Sequence, residues 1–223
     1  VAPSDHKIAE IPAFHMGVGV ASLEAADGRL VTFGIRPTRP ETGYGYLETD
    51  QPDEPVSPLK RFVEKPDAET AAEMVASGKY LWNAGIFLFR VRTVLDAFQA
   101  HAPHLIAPVE EALANGKKDL DFFRLDPEAF QRADDISIDY AVMEKSDALS
   151  VVPLDAAWND LGAWDTVWQE SAQDSHGVAT SGPALAQDCK NSLLRADQPG
   201  LQLVGIGLDN MIAVAMHDAV LVA

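Results

Sequence analysis

Short apolar runs alternate with stretches of helical spacing through the longer, N-terminal part of the chain. Leu30–Ile35 and residues 149–154 are mostly apolar, as expected of strands that are covered on both faces. Residues 13–26 carry apolar side chains at helical spacing, and Ser137 is a suitable N-cap for a second helix over residues 138–143. Strands that alternate with helices in this way predict an α/β sheet.

The middle of the chain continues this pattern. Residues 59–66 are predicted to form a short strand, and Asp67 and Gly78 are suited to begin and end the helix between them. Residues 80–90 place a small polar turn directly before a strongly apolar strand. Residues 91–132 are predicted to be helical, in pieces separated by proline and glycine.

The last fifty residues differ from the rest of the chain. Short apolar runs follow one another closely, with glycine and aspartate between them, at residues 191–195, 201–207, 211–215 and 219–223. This pattern predicts an all-β segment or the start of a β-solenoid. We therefore place a domain boundary after residue 172, with an α/β domain over residues 1–172 and a β-rich segment over residues 173–223.

Composition restricts the class of protein. A hydrophobic content of 47% is enough for a large core, and a net charge of -17 argues against binding a nucleic acid polymer, which requires a basic surface. Cys189 is the only cysteine, so no internal disulfide can form and a reducing compartment is expected. The sequence has no apolar run of membrane-spanning length. We expect a cytoplasmic protein that does not contact membranes and that could form a homodimer.

The first residues have the pattern of a strand that ends in a turn. The sequence opens with Val-Ala-Pro-Ser-Asp-His and has no initiator methionine. A domain seldom begins on the last residues of a strand, so we expect the chain to be the C-terminal, larger part of its first domain.

Asp160 is a candidate metal ligand. It follows the predicted strand at residues 149–154, in a turn between two tryptophans and close to Gly162. In an open α/β sheet, ligands bind at the turns beyond the carboxyl ends of the strands. A helix-capping role would account for an aspartate at this position equally well.

Two further groups of residues are candidates for ligand binding. Gly43, Tyr44 and Gly45 form a glycine-containing loop that allows close approach of a ligand or, alternatively, a tight connection between strands. Glu64–Lys65 and Asn83 each have an ordinary interpretation, as a solvated charge pair and a turn asparagine. Together they are polar groups beside apolar strands, and such groups can converge on one pocket.

Four motifs, in order, resemble one family. Residues 34–46, 62–66, 82–87 and 158–164 resemble mannose-1-phosphate guanylyltransferase, in the bacterial type that is often fused to a phosphomannose isomerase domain. The resemblance implies a Rossmann-like nucleotidyltransferase sheet, incomplete at its N-terminus, followed by a small β-rich segment. The glycine-rich loop by which this family grips the nucleotide triphosphate is missing, so nucleotide base choice is left open.

The resemblance also implies roles for individual residues. Asp5 and Asp160 match the two aspartates that bind Mg²⁺ in this family. The other matching residues contact the sugar phosphate: the loop of Gly43, Tyr44 and Gly45, the pair Glu64 and Lys65, and the sugar-binding turn of Asn83, Ala84 and Gly85. Asp5, Lys65 and Asp160 are the implied catalytic residues.

The implied reaction is transfer of GMP from GTP to mannose 1-phosphate. The sugar phosphate attacks the α-phosphorus of GTP, and this chemistry depends on positioning and charge neutralisation. Two alternatives stay open at this point. The protein could use another nucleoside triphosphate or hexose 1-phosphate, or it could be a non-catalytic sugar-phosphate-binding or assembly module with the same fold.

Overall fold

A computed structural model describes residues 1–223, and the chain divides into two compact units, Val1–Trp158 and Asn159–Ala223. This division comes earlier in the chain than the boundary predicted after residue 172, which stays a prediction. None of the helices combines the length and the apolar character needed to cross a bilayer.

The first unit contains five α-helices and most of the strands. Its helices are α1 (Ile11–Ala26), α2 (Ala68–Ser77), α3 (Val91–His101), α4 (Ile106–Ala114) and α5 (Pro127–Phe130), with a 3-10 turn at Pro103–Leu105 and a π-helical turn at Asp139–Met143. Its strands are β1 (Lys7–Ile8), β2 (Leu30–Ile35), β3 (Tyr46–Glu48), β4 (Ser57–Pro58), β5 (Arg61–Val63), β6 (Tyr80–Leu88), β7 (Lys117–Asp119), β8 (Phe122–Arg124) and β9 (Leu149–Pro153). A further strand, β10 (Trp158–Asn159), lies at the boundary between the units.

A six-stranded mixed sheet forms the core of the first unit. Its strand order is β4-β9-β2-β6-β3-β5, with β2 parallel to β9 and antiparallel to β6. Alternate residues of β2 and β9 enter different core clusters: Leu30 and Val151 belong to one, and Phe33 and Val152 to the other, which includes residues of α1. Burial of both sheet faces explains the apolar runs in the sequence. The predicted α/β class is confirmed.

Helix α2 begins and ends at the residues that the sequence indicates. The Asp67 side chain accepts a hydrogen bond from the Thr70 N–H (2.8 Å), and Gly78 has the left-handed conformation (φ 67°) that ends the helix. Local capping chemistry is therefore sufficient to predict this element.

Two predictions about secondary structure are wrong. The polar turn expected before the apolar strand is part of that strand, because β6 runs through residues 82–85, and its pairing with β2 is interrupted only at residues 84–86. Within the region predicted to be helical, residues 117–124 contain the antiparallel hairpin of β7 and β8. Both hairpin strands are exposed, so no buried face imposes a periodic pattern by which the sequence would reveal them.

The second unit is mostly parallel β-structure. It contains α6 (Trp164–Gln169) and β11 (Val178–Ser181), β12 (Ala184–Gln187), β13 (Ser192–Ala196), β14 (Leu203–Ile206), β15 (Ile212–Ala215) and β16 (Val220–Val222). Strand β13 pairs in parallel with β11 and β15, and β12 pairs in parallel with β14. Such stacking of successive strands in two sheets is the arrangement of a β-solenoid. The strands β11 and β12 are additional to those predicted.

Gly34 provides a test of packing at the centre of the sheet. A Cβ atom at this position would lie 2.6 Å from Leu81 Cδ1 and 2.9 Å from Val151 Cγ2. We expect Gly34→Ala to lower the free energy of unfolding by about 1–3 kcal/mol, because overpacking a filled core forces its neighbours to move. The measurement is urea denaturation of the variant and the wild type.

Gly19 supplies the matched control for this substitution. It lies in α1, and a Cβ atom there would meet nothing within 4 Å. Gly19→Ala should therefore raise the free energy of unfolding by about 0.5–1 kcal/mol, since alanine loses less conformational entropy in a helix. Equal effects of the two substitutions would contradict the packing described for Gly34.

Candidate functional site

Glu64 and Lys65 follow β5 and form an ion pair. Lys65 Nζ lies 3.1 Å from Glu64 Oε1, and the Glu64 side chain is only 9% exposed whereas that of Lys65 is 59% exposed. Lys65 has a positive φ of 47°, a conformation that is uncommon for a residue with a side chain and that concentrates at functional sites. A shielded carboxylate therefore lies beside an ammonium group that solvent and ligands can reach.

Asn83 is the last residue of β6 that pairs with β2 before the interruption at residues 84–86. Strand β2 pairs Thr32 with Phe87 and Gly34 with Asn83, so β6 carries two more residues than β2 over this stretch. The Asn83 Oδ1 atom accepts hydrogen bonds from Thr32 Oγ1 (2.9 Å) and from the Gly85 N–H (3.1 Å). Gly85 has a φ of 66°, which suits glycine.

Asp139 completes this group of polar side chains. Its Oδ1 atom accepts a hydrogen bond from Asn83 Nδ2 (3.1 Å), and its charge acts on Lys65. We call Thr32, Glu64, Lys65, Asn83 and Asp139 the polar cluster. Sequence reasoning missed Asp139 and Thr32 as site residues, since each joins the cluster by contacts with residues distant in the chain.

Gly45 holds the two halves of the polar cluster close together. A Cβ atom on Gly45 would lie 2.5 Å from Glu64 Oε2 and 3.3 Å from Asn83 Cβ, so any other residue would displace one of them. The Gly45 carbonyl also accepts a hydrogen bond from the Asn83 N–H (2.7 Å). The predicted groups Gly43–Gly45, Glu64–Lys65 and Asn83–Gly85 are therefore neighbours in the structure, although their roles toward a ligand stay predictions.

Aromatic rings contact one another in series beside the loop of residues 43–45. Tyr44 makes edge contacts with Trp82 and Trp158, at centroid distances of 5.3 Å and 5.7 Å. Trp158 in turn makes an edge contact with His6 (5.3 Å) and donates a hydrogen bond from Nε1 to His6 Nδ1 (3.0 Å). The sequence indicated Tyr44 but not His6, whose ring is brought to Trp158 by tertiary folding alone.

The two predicted metal ligands belong to different units. Asp5 lies in the first unit and is exposed, whereas Asp160 lies in the second. Asp160 Oδ1 accepts a hydrogen bond from the Gly162 N–H (3.2 Å). The structure contains no group of three or more His, Cys, Asp or Glu side chains suited to hold a metal. A shared ion at these two carboxylates stays a prediction.

The protonation of the polar cluster is set mainly by burial. Burial raises the pKa of Glu64; the hydrogen bond with Lys65 lowers it by less, and the charges of Asp139 and Glu144 raise it. Burial likewise raises the pKa of Asp139, against the lowering effect of its hydrogen bonds and of Lys65. The hydrogen bond with Glu64 raises the pKa of Lys65, which keeps the ammonium form.

This burial predicts a pH effect on stability. The contribution of Glu64 to the free energy of unfolding is fully present below its ordinary pKa of 4.5 and is lost as the pH rises through its raised folded pKa. Glu64→Gln removes this titration, so the stability of the wild type relative to the variant should fall as the pH rises above about 4. Urea denaturation across this range measures the difference. A difference that does not change with pH would contradict the effect.

Comparison with known proteins gives consistent findings. Residues 1–177 match the family model described as Nucleotidyl transferase. The chain is 46% identical to the xanthan biosynthesis protein XanB of Xanthomonas campestris pv. campestris and 42% identical to a mannose-1-phosphate guanylyltransferase of Sinorhizobium fredii; all of this chain is covered in both, with 47% and 43% of those proteins. A solved structure described as mannose-1-phosphate geranyltransferase from Thermus thermophilus is 31% identical with a TM-score of 0.83, covering 100% of this chain and 64% of that one. The chain thus spans about half the length of the curated relatives it matches.

Proposed function

Because the chain belongs to the nucleotidyl transferase family, we propose that its protein transfers GMP from GTP to mannose 1-phosphate, giving GDP-mannose and pyrophosphate. The observation that carries the proposal is the polar cluster, in which a shielded carboxylate, an accessible ammonium group and an oriented amide meet beside a glycine loop. These groups match a sugar phosphate, which offers hydroxyl groups and a dianion for recognition.

Each group of the cluster has a proposed task. The Lys65 ammonium binds the phosphate of the sugar as a fixed positive charge. The Glu64 carboxylate accepts hydrogen bonds from sugar hydroxyls, and the ring of Tyr44 covers the sugar beside the loop. With the sugar held in this way, a phosphate oxygen attacks the α-phosphorus of GTP, the new P–O bond forms, and the bond to pyrophosphate breaks.

Mg²⁺ is the proposed metal, with Asp5 and Asp160 as its protein ligands. Magnesium in phosphate sites is usually held by one or two carboxylates, and phosphate oxygens and waters fill the other positions. Two aspartates therefore fit the ion without a dedicated protein cage. When bound, the ion supplies charge neutralisation at the phosphates.

The direct test is pyrophosphate release by the natural full-length protein with GTP, mannose 1-phosphate and Mg²⁺. We expect pyrophosphate release to be faster with GTP and mannose 1-phosphate than when ATP, UTP or dTTP replaces GTP, or when glucose 1-phosphate replaces mannose 1-phosphate. A higher rate with one of those substrates would replace GTP or mannose in the proposal. Calorimetric binding of mannose 1-phosphate without any pyrophosphate release would instead favour a non-catalytic sugar-phosphate-binding module.

A further inference from the structure

Asp139 lies on an unusual piece of backbone. It begins a π-helical turn, Asp139–Met143, a rare conformation that is frequent at functional sites. The turn is anchored by Ala141, Val142 and Met143, which are at most 1% exposed. A segment held this firmly can present one side chain, here Asp139, in a fixed place.

The hydrogen bonds of Asn83 show what the Asp139 side chain does. The Gly85 N–H can only donate, so the Asn83 atom that it meets must be the amide oxygen. The Thr32 hydroxyl approaches the same oxygen. The Asn83 amide nitrogen therefore faces Asp139, and a carboxylate is the acceptor that suits it. All three hydrogen bonds are therefore consistent with the same orientation of the Asn83 amide.

The surroundings of Asp139 also affect its protonation. Burial raises the pKa of the Asp139 carboxyl, and the hydrogen bond from Asn83 and the positive charge of Lys65 lower it by less. The Lys65 ammonium itself is paired with Glu64.

We propose that Asp139 is a positioning residue of the sugar-phosphate site, which sets the direction of the Asn83 amide. It acts through the Asn83 side chain. The inference rests on the proposed function, because the ligand is the hexose 1-phosphate proposed there.

The experiment is calorimetry of mannose 1-phosphate with the natural full-length protein and its variants. Asp139→Ala should weaken binding about 10-fold, because the Asn83 amide nitrogen loses its hydrogen-bond acceptor. Asp139→Asn keeps a hydrogen-bond acceptor and loses the charge, so it should weaken binding about 3-fold. Asp135→Ala, which changes an exposed aspartate four residues earlier, should bind as the wild type does.

A double-variant cycle separates positioning from general destabilisation. We expect Asp139→Ala to reduce the logarithm of the affinity by less in an Asn83→Ala background than in the wild type, by less than about half as much. The reason is that the Asn83 amide, through which Asp139 acts, is absent from that background. Full additivity, or wild-type affinity in Asp139→Ala, would overturn the inference. If Asp139→Ala does not fold, Asp139→Asn decides, and wild-type affinity in that variant overturns it. Absence of binding by the wild type would instead overturn the proposed function, and with it the ligand on which this role depends.

Discussion

Lys65→Met should weaken binding of mannose 1-phosphate roughly 10- to 100-fold while leaving the fold intact. The Lys65 side chain is 59% exposed, so its loss removes little packing, whereas a charge-assisted hydrogen bond to a phosphate contributes about 1.5–3 kcal/mol. Calorimetry with the sugar phosphate alone measures the loss without requiring turnover.

Lys79→Met is the control for this substitution. Lys79 is an exposed lysine just after α2, and its replacement should leave the affinity unchanged. Wild-type affinity in Lys65→Met would reject Lys65 as the phosphate ligand, and equal losses in both variants would indicate a general charge effect. A loss confined to Lys65→Met would support the assigned contact.

Asp160→Asn should lower the rate of pyrophosphate release about 1000-fold. Removing a metal-binding carboxylate costs several kcal/mol of stabilisation of charge in the transition state, and about 4 kcal/mol corresponds to this factor. The asparagine side chain can still accept the hydrogen bond from Gly162, so the local turn should persist and the melting temperature should change little. The measurement is the initial rate at saturating GTP and mannose 1-phosphate.

Asp165→Asn tests whether the effect is specific to position 160. Asp165 is an exposed aspartate in the first turn of α6. It should retain the wild-type rate. If Asp160→Asn also retains that rate, Asp160 is not a metal ligand, and its side chain serves only the local turn through the hydrogen bond from the Gly162 N–H.

Elements whose signals are local can be predicted from the sequence. The bounds of β2 follow from its apolar run, and those of α2 from the capping chemistry of Asp67 and Gly78. The interruption of β6 and its neighbouring residues have the composition of a turn, because asparagine and glycine favour turns and also occur in interrupted strands. Only the register with β2 distinguishes them, and register depends on a strand fifty residues away.

The candidate site is predictable in part for the same reason. Glu64, Lys65 and Asn83 stand out as polar groups beside apolar strands, and the structure brings them together. Asp139 does not stand out, since an aspartate near a helix start usually caps it. Its contact with Asn83 spans 56 positions of sequence, and it requires a π-helical turn that no local pattern indicates.

The two additional residues in β6 leave the order of its faces unchanged. Leu81 before the interruption and Phe87 after it enter one core cluster, while Ala84 and Ile86 enter the other. If β6 carried an odd number of additional residues, the residues after the interruption would point to the opposite face of the sheet, and Phe87 would leave its core cluster. This follows because side chains alternate between the two faces with a period of two. With an even number of additional residues, the interruption lies beside the candidate site while the residues on either side of it keep their faces of the sheet.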